Sequence, residues 1–181
     1  MVLGIVKYGN KALREKSSPV PVVNDSLRKL ADDMLETMRA ARGVGLAAEQ
    51  VGRLERICVI DIPDGCEEPE DAMFNGPIKM PLKLFNPVIV AHEGSQYDKE
   101  GCLSFPKIGG AVTRAAQVTC QYVDEENRPQ AITARGFLAR AIQHEVDHLD
   151  GILYVDRFSA VERLAVAGKL KKLARENGGV R

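Results

Sequence analysis

Between Gly136 and Leu149 an apolar-periodic run carries two histidines and an acid at fixed spacing, His144-Glu145-Val146-Asp147-His148. That spacing restricts the fold sharply. Positions i and i+4 of a helix lie one turn apart on one face, so both imidazoles can reach the same divalent metal. Glu145 then stays close enough to handle the proton of a water held there. The remaining helix positions, Leu138, Ala141, Ile142, Val146 and Leu149, ask to be packed. His144, Glu145 and His148 therefore belong in a largely buried setting. Polar groups at that density are costly unless a metal or hydrogen bonds satisfy them.

Other elements follow from periodicity and punctuation. A helical turn is expected over Lys11 to Glu15. A long helix is expected from Asp25 to Ala41, capped by Asn24 or Asp25, with Leu27, Leu30, Met34, Leu35 and Met38 as its stripe and Gly43 at its end. Ile57 to Ile60 reads as a buried strand. Asp61 to Pro81 holds four prolines and an acidic run, which predicts a surface loop. Leu84 to Ala91 reads as a strand broken near Pro87. Val112 to Val123 and Ala131 to Ala134 fit a hairpin around Asp124 to Pro129. The metal helix should span Gly136 to Leu149 and stop at Gly151, and Ser159 should cap a helix from Ala160 to Glu176. Strands and helices mix without β-α-β alternation. The expected fold is a single α+β domain over residues 1–181. Its central helix carries the His-Glu motif among antiparallel or mixed sheets, with a long N-terminal helix and a C-terminal one.

A chain of 181 residues can bury a real core. Its 25 basic and 25 acidic residues give no global pull toward DNA or a membrane surface. The balance is local, however. From Arg157 to Arg181 seven basic residues face two acidic ones, which reads as a solvated helix face or a docking surface. The N-terminus lacks the form of a signal peptide, and no apolar run could span a bilayer. The four cysteines form no C-x-x-C pair, so a reducing cytoplasm is expected.

A catalytic site of this kind needs a third protein ligand and an open position. The extended metalloprotease pattern would put a histidine where Tyr154 stands. The alternative, a glutamate about twenty residues downstream, meets Val166-Ala167-Gly168-Lys169 instead. Glu162 is nearer but belongs to the basic C-terminal helix. Upstream, Cys102 stands out in Glu100-Gly101-Cys102-Leu103-Ser104, because thiolate suits zinc or ferrous iron and the flanking Gly101 allows close approach. His92 has no visible partner. Asp147 points away from the two histidines, and Arg114 is its expected structural partner.

A third segment, Gly43-Val44-Gly45-Leu46-Ala47-Ala48-Glu49-Gln50, completes a set. Together with the Cys102 and His144 segments, in this order, it resembles the peptide deformylases over nearly the whole chain. The resemblance implies a metal-dependent hydrolase that removes the N-formyl group from N-terminal formylmethionine of nascent polypeptides. It implies Cys102, His144 and His148 as metal ligands, Glu145 as acid and base, and Gln50 with the Leu103 backbone N–H as oxyanion donors. It implies Fe2+ as the native ion, with Zn2+, Ni2+ or Co2+ able to substitute. Val44, Gly45 and Gly101 are expected to meet substrate, an extended peptide pairing with main-chain groups. The expected protein is a cytoplasmic, bacterial monomer whose basic C-terminal helix could touch the ribosome. Departures lie at the pocket rim: a long 61–81 loop, Ala141 in place of a cysteine, and Lys107-Ile108-Gly109-Gly110 without an arginine. Two other readings compete. One is a zinc endopeptidase, which the Tyr154 position disfavours. The other is a non-catalytic module, which the presence of both Glu145 and Gln50 disfavours.

Overall fold

The computed structural model describes residues 1–178. Its centre is an antiparallel five-stranded sheet. In chain order the strands are β1 (Gly45–Ala47), β2 (Ile57–Ile60), β3 (Leu82–Glu93), β6 (Gln117–Val123) and β7 (Pro129–Arg135), and they lie side by side in that order. A separate hairpin-like pair joins β4 (Gln96–Gly101) to β5 (Gly109–Arg114). Four helices complete the fold: α1 (Asp25–Ala40), α2 (Pro69–Asn75), α3 (Gly136–Leu149) and α4 (Ala160–Asn177). This is the α+β arrangement expected.

The run Ile57-Cys58-Val59-Ile60 is apolar throughout because β2 is covered on both faces. Successive side chains of a strand alternate. Ile57 and Val59 meet the α1 residues Leu30, Met34 and Met38. Cys58 and Ile60 meet the α3 residues Leu138, Ile142 and Val146. Burying an aliphatic side chain of this size stabilises by roughly 1.5–3 kcal/mol. The sheet is thus clamped between the N-terminal helix and the metal helix. A third cluster, built on Leu13, Phe105, Tyr154 and Phe158, holds the C-terminal region against the β4–β5 side.

Helix α1 begins as read, with the Asn24 side chain accepting from the Leu27 N–H at 3.0 Å. The 61–81 segment corrects the loop expected there, because it contains α2. Pro69 occupies the first turn with Glu70 and Asp71, a composition that favours a helix N-terminus. The helix has a task. Asn75 accepts from the Arg135 N–H at 3.0 Å and donates to the Arg135 carbonyl at 3.1 Å. It pins the point where β7 turns into α3.

The expected Val112–Val123 strand is also corrected. The chain breaks at Ala115-Ala116, so β5 pairs with β4 while β6 pairs with β3 and β7. The Gln143 amide seals the break by accepting from the Ala115 N–H at 3.0 Å and donating to its carbonyl at 3.0 Å. β3 runs through Pro87 with a shift of register after Phe85, next to Asn86 at φ +53°.

One buried group has no counterpart in the motif reading. Glu49 is fully buried, and among the described residues neither carboxylate oxygen has a hydrogen-bond partner. The nearby Ser17 hydroxyl is spent on the Leu149 carbonyl. Burial pushes the Glu49 carboxyl up to about 8, against the pull of the Arg56 charge. The folded state therefore holds a proton that the unfolded chain releases near the ordinary carboxylate range. Stability should fall by up to ~1.4 kcal/mol per pH unit between that range and about pH 8, and then level off. Glu49→Gln is expected to flatten this slope and to raise the melting temperature at pH 8. Parallel melting curves for the variant and the parent across pH 5–9 would contradict the assignment.

Candidate metal centre

Helix α3 is buried almost all round, from Leu138 to Leu149 with Gln143 as the exception. One turn of helix places His144 and His148 with ring centroids 5.0 Å apart. The Cys102 sulfur arrives from the turn after β4 and lies 3.3 Å from His148 Nε2. One donor atom from each of Cys102, His144 and His148 falls within 4.8 Å of the others. A soft sulfur with two imidazole nitrogens is a donor set for zinc or ferrous iron. Two buried polar atoms beside it, Glu145 Oε2 and His148 Nδ1, have no partner within the protein. Three converging donors, with no fourth side chain in the group among the described residues, fit a bound divalent metal. Glu162 is not in that group, and Tyr154 donates instead to the Ile108 carbonyl at 2.8 Å.

Glu100 orients the first ligand. Its Oε2 lies 2.9 Å from His144 Nδ1, leaving the other ring nitrogen to face Cys102. The same carboxylate accepts from Arg114 Nε at 2.8 Å and Nη2 at 2.9 Å, and from Arg140 Nη1 at 2.7 Å. Burial opposes its charge, but the hydrogen bonds from Arg114 and His144 win and hold it well below the usual carboxylate range. Asp147 pairs with Arg114 as read, and also with Arg157 at 2.6 Å. It makes no approach to the metal group. His92 is exposed on β3.

Glu145 is buried, and burial pushes its carboxyl up to about 7. Gly45 on β1 is what makes room for it, since a Cβ on Gly45 would land on Glu145 Oε1. A Cβ on Gly43 would likewise stand 2.7 Å from Leu103 Cδ1. Gly101 differs, because nothing of the protein lies within 4 Å of a Cβ built there. It lines the cavity on an open side.

Gln50 is fixed at both ends. Its Oε1 accepts from the Ala47 N–H at 2.8 Å, which turns Nε2 toward Cys102 Sγ and Ser104 Oγ, each at 3.3 Å. The Leu103 carbonyl accepts from Lys7 Nζ at 2.8 Å, and among the described residues no backbone carbonyl accepts from the Leu103 N–H. Gln50 Nε2 is thus held beside the sulfur by two long contacts, and of the two expected oxyanion donors it is the Leu103 N–H that has no backbone acceptor among the described residues. They border a cavity of about 560 Å³, within the range of small-ligand sites. Val44, Gly45, Gly101, Cys102, His144 and Glu145 line it, whereas His148 stands behind. Among the described residues β1 is an edge strand paired only with β2, and its first residue Gly45 lines the cavity together with the preceding Val44.

Sequence reasoning missed Glu100 and Arg140 as parts of this site. Glu100 opens the segment that carries Cys102, yet nothing in its spacing reveals that it meets a histidine 44 residues on.

Known proteins of one family resemble this chain in sequence and fold. The family described as polypeptide deformylase matches residues 2–164. A peptide deformylase from Nitrosococcus oceani is 44% identical over 174 residues, covering 96% of this chain and 97% of the relative. The crystal structure of a peptide deformylase from Legionella pneumophila superposes with a TM-score of 0.82 at 37% identity, covering all of both chains. One from Synechococcus elongatus, in complex with actinonin, gives 0.78 at 38% identity over 98% of this chain and 89% of that one.

Proposed function

The chain belongs to the polypeptide deformylase family, metal-dependent enzymes that remove the N-formyl group from nascent peptides, and from that premise we propose the division of labour at the site. Cys102, His144 and His148 hold the metal, Fe2+ in the cell, with Zn2+, Ni2+ or Co2+ able to substitute. The observation that carries this is the convergence of one sulfur and two ring nitrogens within 4.8 Å. When bound, such a metal lowers the pKa of a water toward ~7 and polarises a carbonyl.

The chain's own residues do the rest. Glu145 takes the proton from the attacking water on its unpartnered oxygen and returns it to the leaving nitrogen. Gln50 Nε2 and the Leu103 N–H donate to the formyl oxygen as its carbon becomes tetrahedral. A preorganised donor of this type is worth ~2.7–4 kcal/mol. The free edge of β1 pairs with the peptide main chain, which accepts many sequences alike. Val44, with Phe137 and Ala141 of the α3 wall, encloses the methionine side chain.

The same reading makes the protein a cytoplasmic monomer without specific DNA or membrane binding. No helix among the described residues is long and apolar enough to cross a membrane. Helix α4 buries little beyond Val166 and presents Arg163, Lys169, Lys171, Lys172 and Arg175, which supports a transient contact with the ribosome.

Anaerobically purified protein should carry about one iron per chain and release formate from formyl-Met-Ala while leaving an internally quenched peptide intact. The iron form should lose activity in air, because thiolate-bound iron and its cysteine oxidise readily, and the nickel form should persist. Cleavage of the internal peptide without formate release would favour an endopeptidase instead.

A further inference from the structure

The mouth of the catalytic cavity is cationic. Arg42, Lys99 and Lys107 are exposed on its rim, and half-buried Lys7 lies beside them. The two carboxylates in the cavity wall are both buried within it. Glu100 is occupied by Arg114 and Arg140, and Glu145 faces Gly45. Among the described residues none of the four rim cations takes part in an ion pair. Lys7 Nζ meets only the Leu103 carbonyl. The nearest exposed acid in sequence, Asp98, sits on the alternate face of β4 from Lys99 and does not line the cavity.

Solvated charges on a protein surface are ordinary, so position alone would carry little. The backbone adds a second observation. Among the described residues four that are not glycine have a positive φ, and two of them are asparagines, which tolerate it. Asn86 and Asn127 also use their amides to hold the Val20 and Val23 main chain. The other two are Arg42 and Lys107, at φ +57° and +59°. Arg42 follows the end of α1, where the Gly43 N–H bonds back to the Met38 carbonyl, a left-handed cap that favours glycine. Lys107 follows Pro106 in a turn closed by the Ile108 N–H on the Phe105 carbonyl, again a glycine or asparagine position. Both positions place a long cation at the cavity mouth at a local conformational cost. Strained backbone concentrates where a site needs a side chain aimed.

We propose that this rim selects formyl-peptides bearing aspartate or glutamate at the third and fourth residues, two and three places after the methionine. The inference rests on the deformylase reading, because it needs the peptide to leave the cavity across this rim. With the first side chain enclosed, the second to fourth residues pass Arg42, Lys99 and Lys107. Electrostatic focusing of this kind acts on capture, and therefore on KM and on the salt dependence.

The test uses the metal-loaded protein and three C-terminally amidated probes: formyl-Met-Ala, formyl-Met-Ala-Asp-Glu and formyl-Met-Ala-Lys-Arg. The acidic peptide is expected to exceed the basic one by ~10-fold or more in kcat/KM at low ionic strength, chiefly through KM. The ratio should shrink to about two near 0.5 M salt. In the double variant R42G/K107G the ratio should fall toward one at low salt, while the melting temperature holds or rises, since glycine suits both positions. A structural role would be satisfied by glycine; a charge role would not. Equal handling of the two charged peptides by the parent protein, with formyl-Met-Ala cleaved, overturns the proposal alone. A ratio that survives in R42G/K107G also overturns it. No cleavage of any formyl-peptide would sink the deformylase reading together with it.

Discussion

Glu145→Gln should bind the metal as the parent does and lose turnover by ~10²–10⁴-fold or more. The substitution keeps shape and removes the one group able to accept a proton beside the donors Cys102, His144 and His148. Nothing else lining the cavity can replace it. Glu100 is saturated by two guanidinium groups and His144, and Gln50 is committed to the Ala47 N–H and the Cys102 sulfur. The fold should not suffer. Glu145 Oε2 lacks a partner, and burial already works against its charge, so a neutral amide of equal size costs little there. Metal content, melting temperature and formate release measured on one preparation separate these effects. A variant with parental metal content and parental kcat would remove Glu145 from the chemistry.

Much of this site was legible before the fold, for a physical reason. A helix that must bind a metal and also be buried writes two periodicities into one segment, and α3 shows both. The Gly45 and Gln50 segment was legible as a motif, though not as a strand. β1 has only three residues, and it exists because β2 supplies a partner that no local pattern announces. β4 was hidden likewise, because Gln96-Tyr97-Asp98-Lys99-Glu100 is polar and borrows its order from β5. Helix α2 carried a signal that was outvoted. Four prolines in the 61–81 segment read as loop, yet one of them sits where a helix welcomes it, ahead of two acids. The convergence of distant charges was read only in part, as the Asp147–Arg114 pair. Glu100 and Arg140 carry no sign in sequence of joining that pair, but all four residues are buried around the metal helix.

That convergence makes Glu100→Gln the most damaging change available outside the residues that react. The carboxylate bridges Arg114, Arg140 and His144, with side-chain exposures of only 2–10% across the group. Arg140 has little in reserve. Its Nη1 also reaches the Val112 carbonyl at 3.0 Å, while its Nη2 is buried without a partner. Removing the negative charge leaves two guanidinium groups facing each other in a dry interior, with Asp147 as the remaining counter-charge for Arg114. Breaking a buried ion pair from one side typically costs ~3–5 kcal/mol. The loss reaches the metal through His144, whose ring orientation Glu100 sets. Losing such an outer partner typically costs ~10–100-fold in metal affinity. Both effects are expected together, and chelator competition followed alongside thermal melting reads them separately. A purely structural role would lower the melting temperature and leave the affinity of the folded fraction unchanged. If Glu100 aims His144, the affinity falls as well. That role would be ruled out if Glu100→Gln held its metal as tightly as the parent.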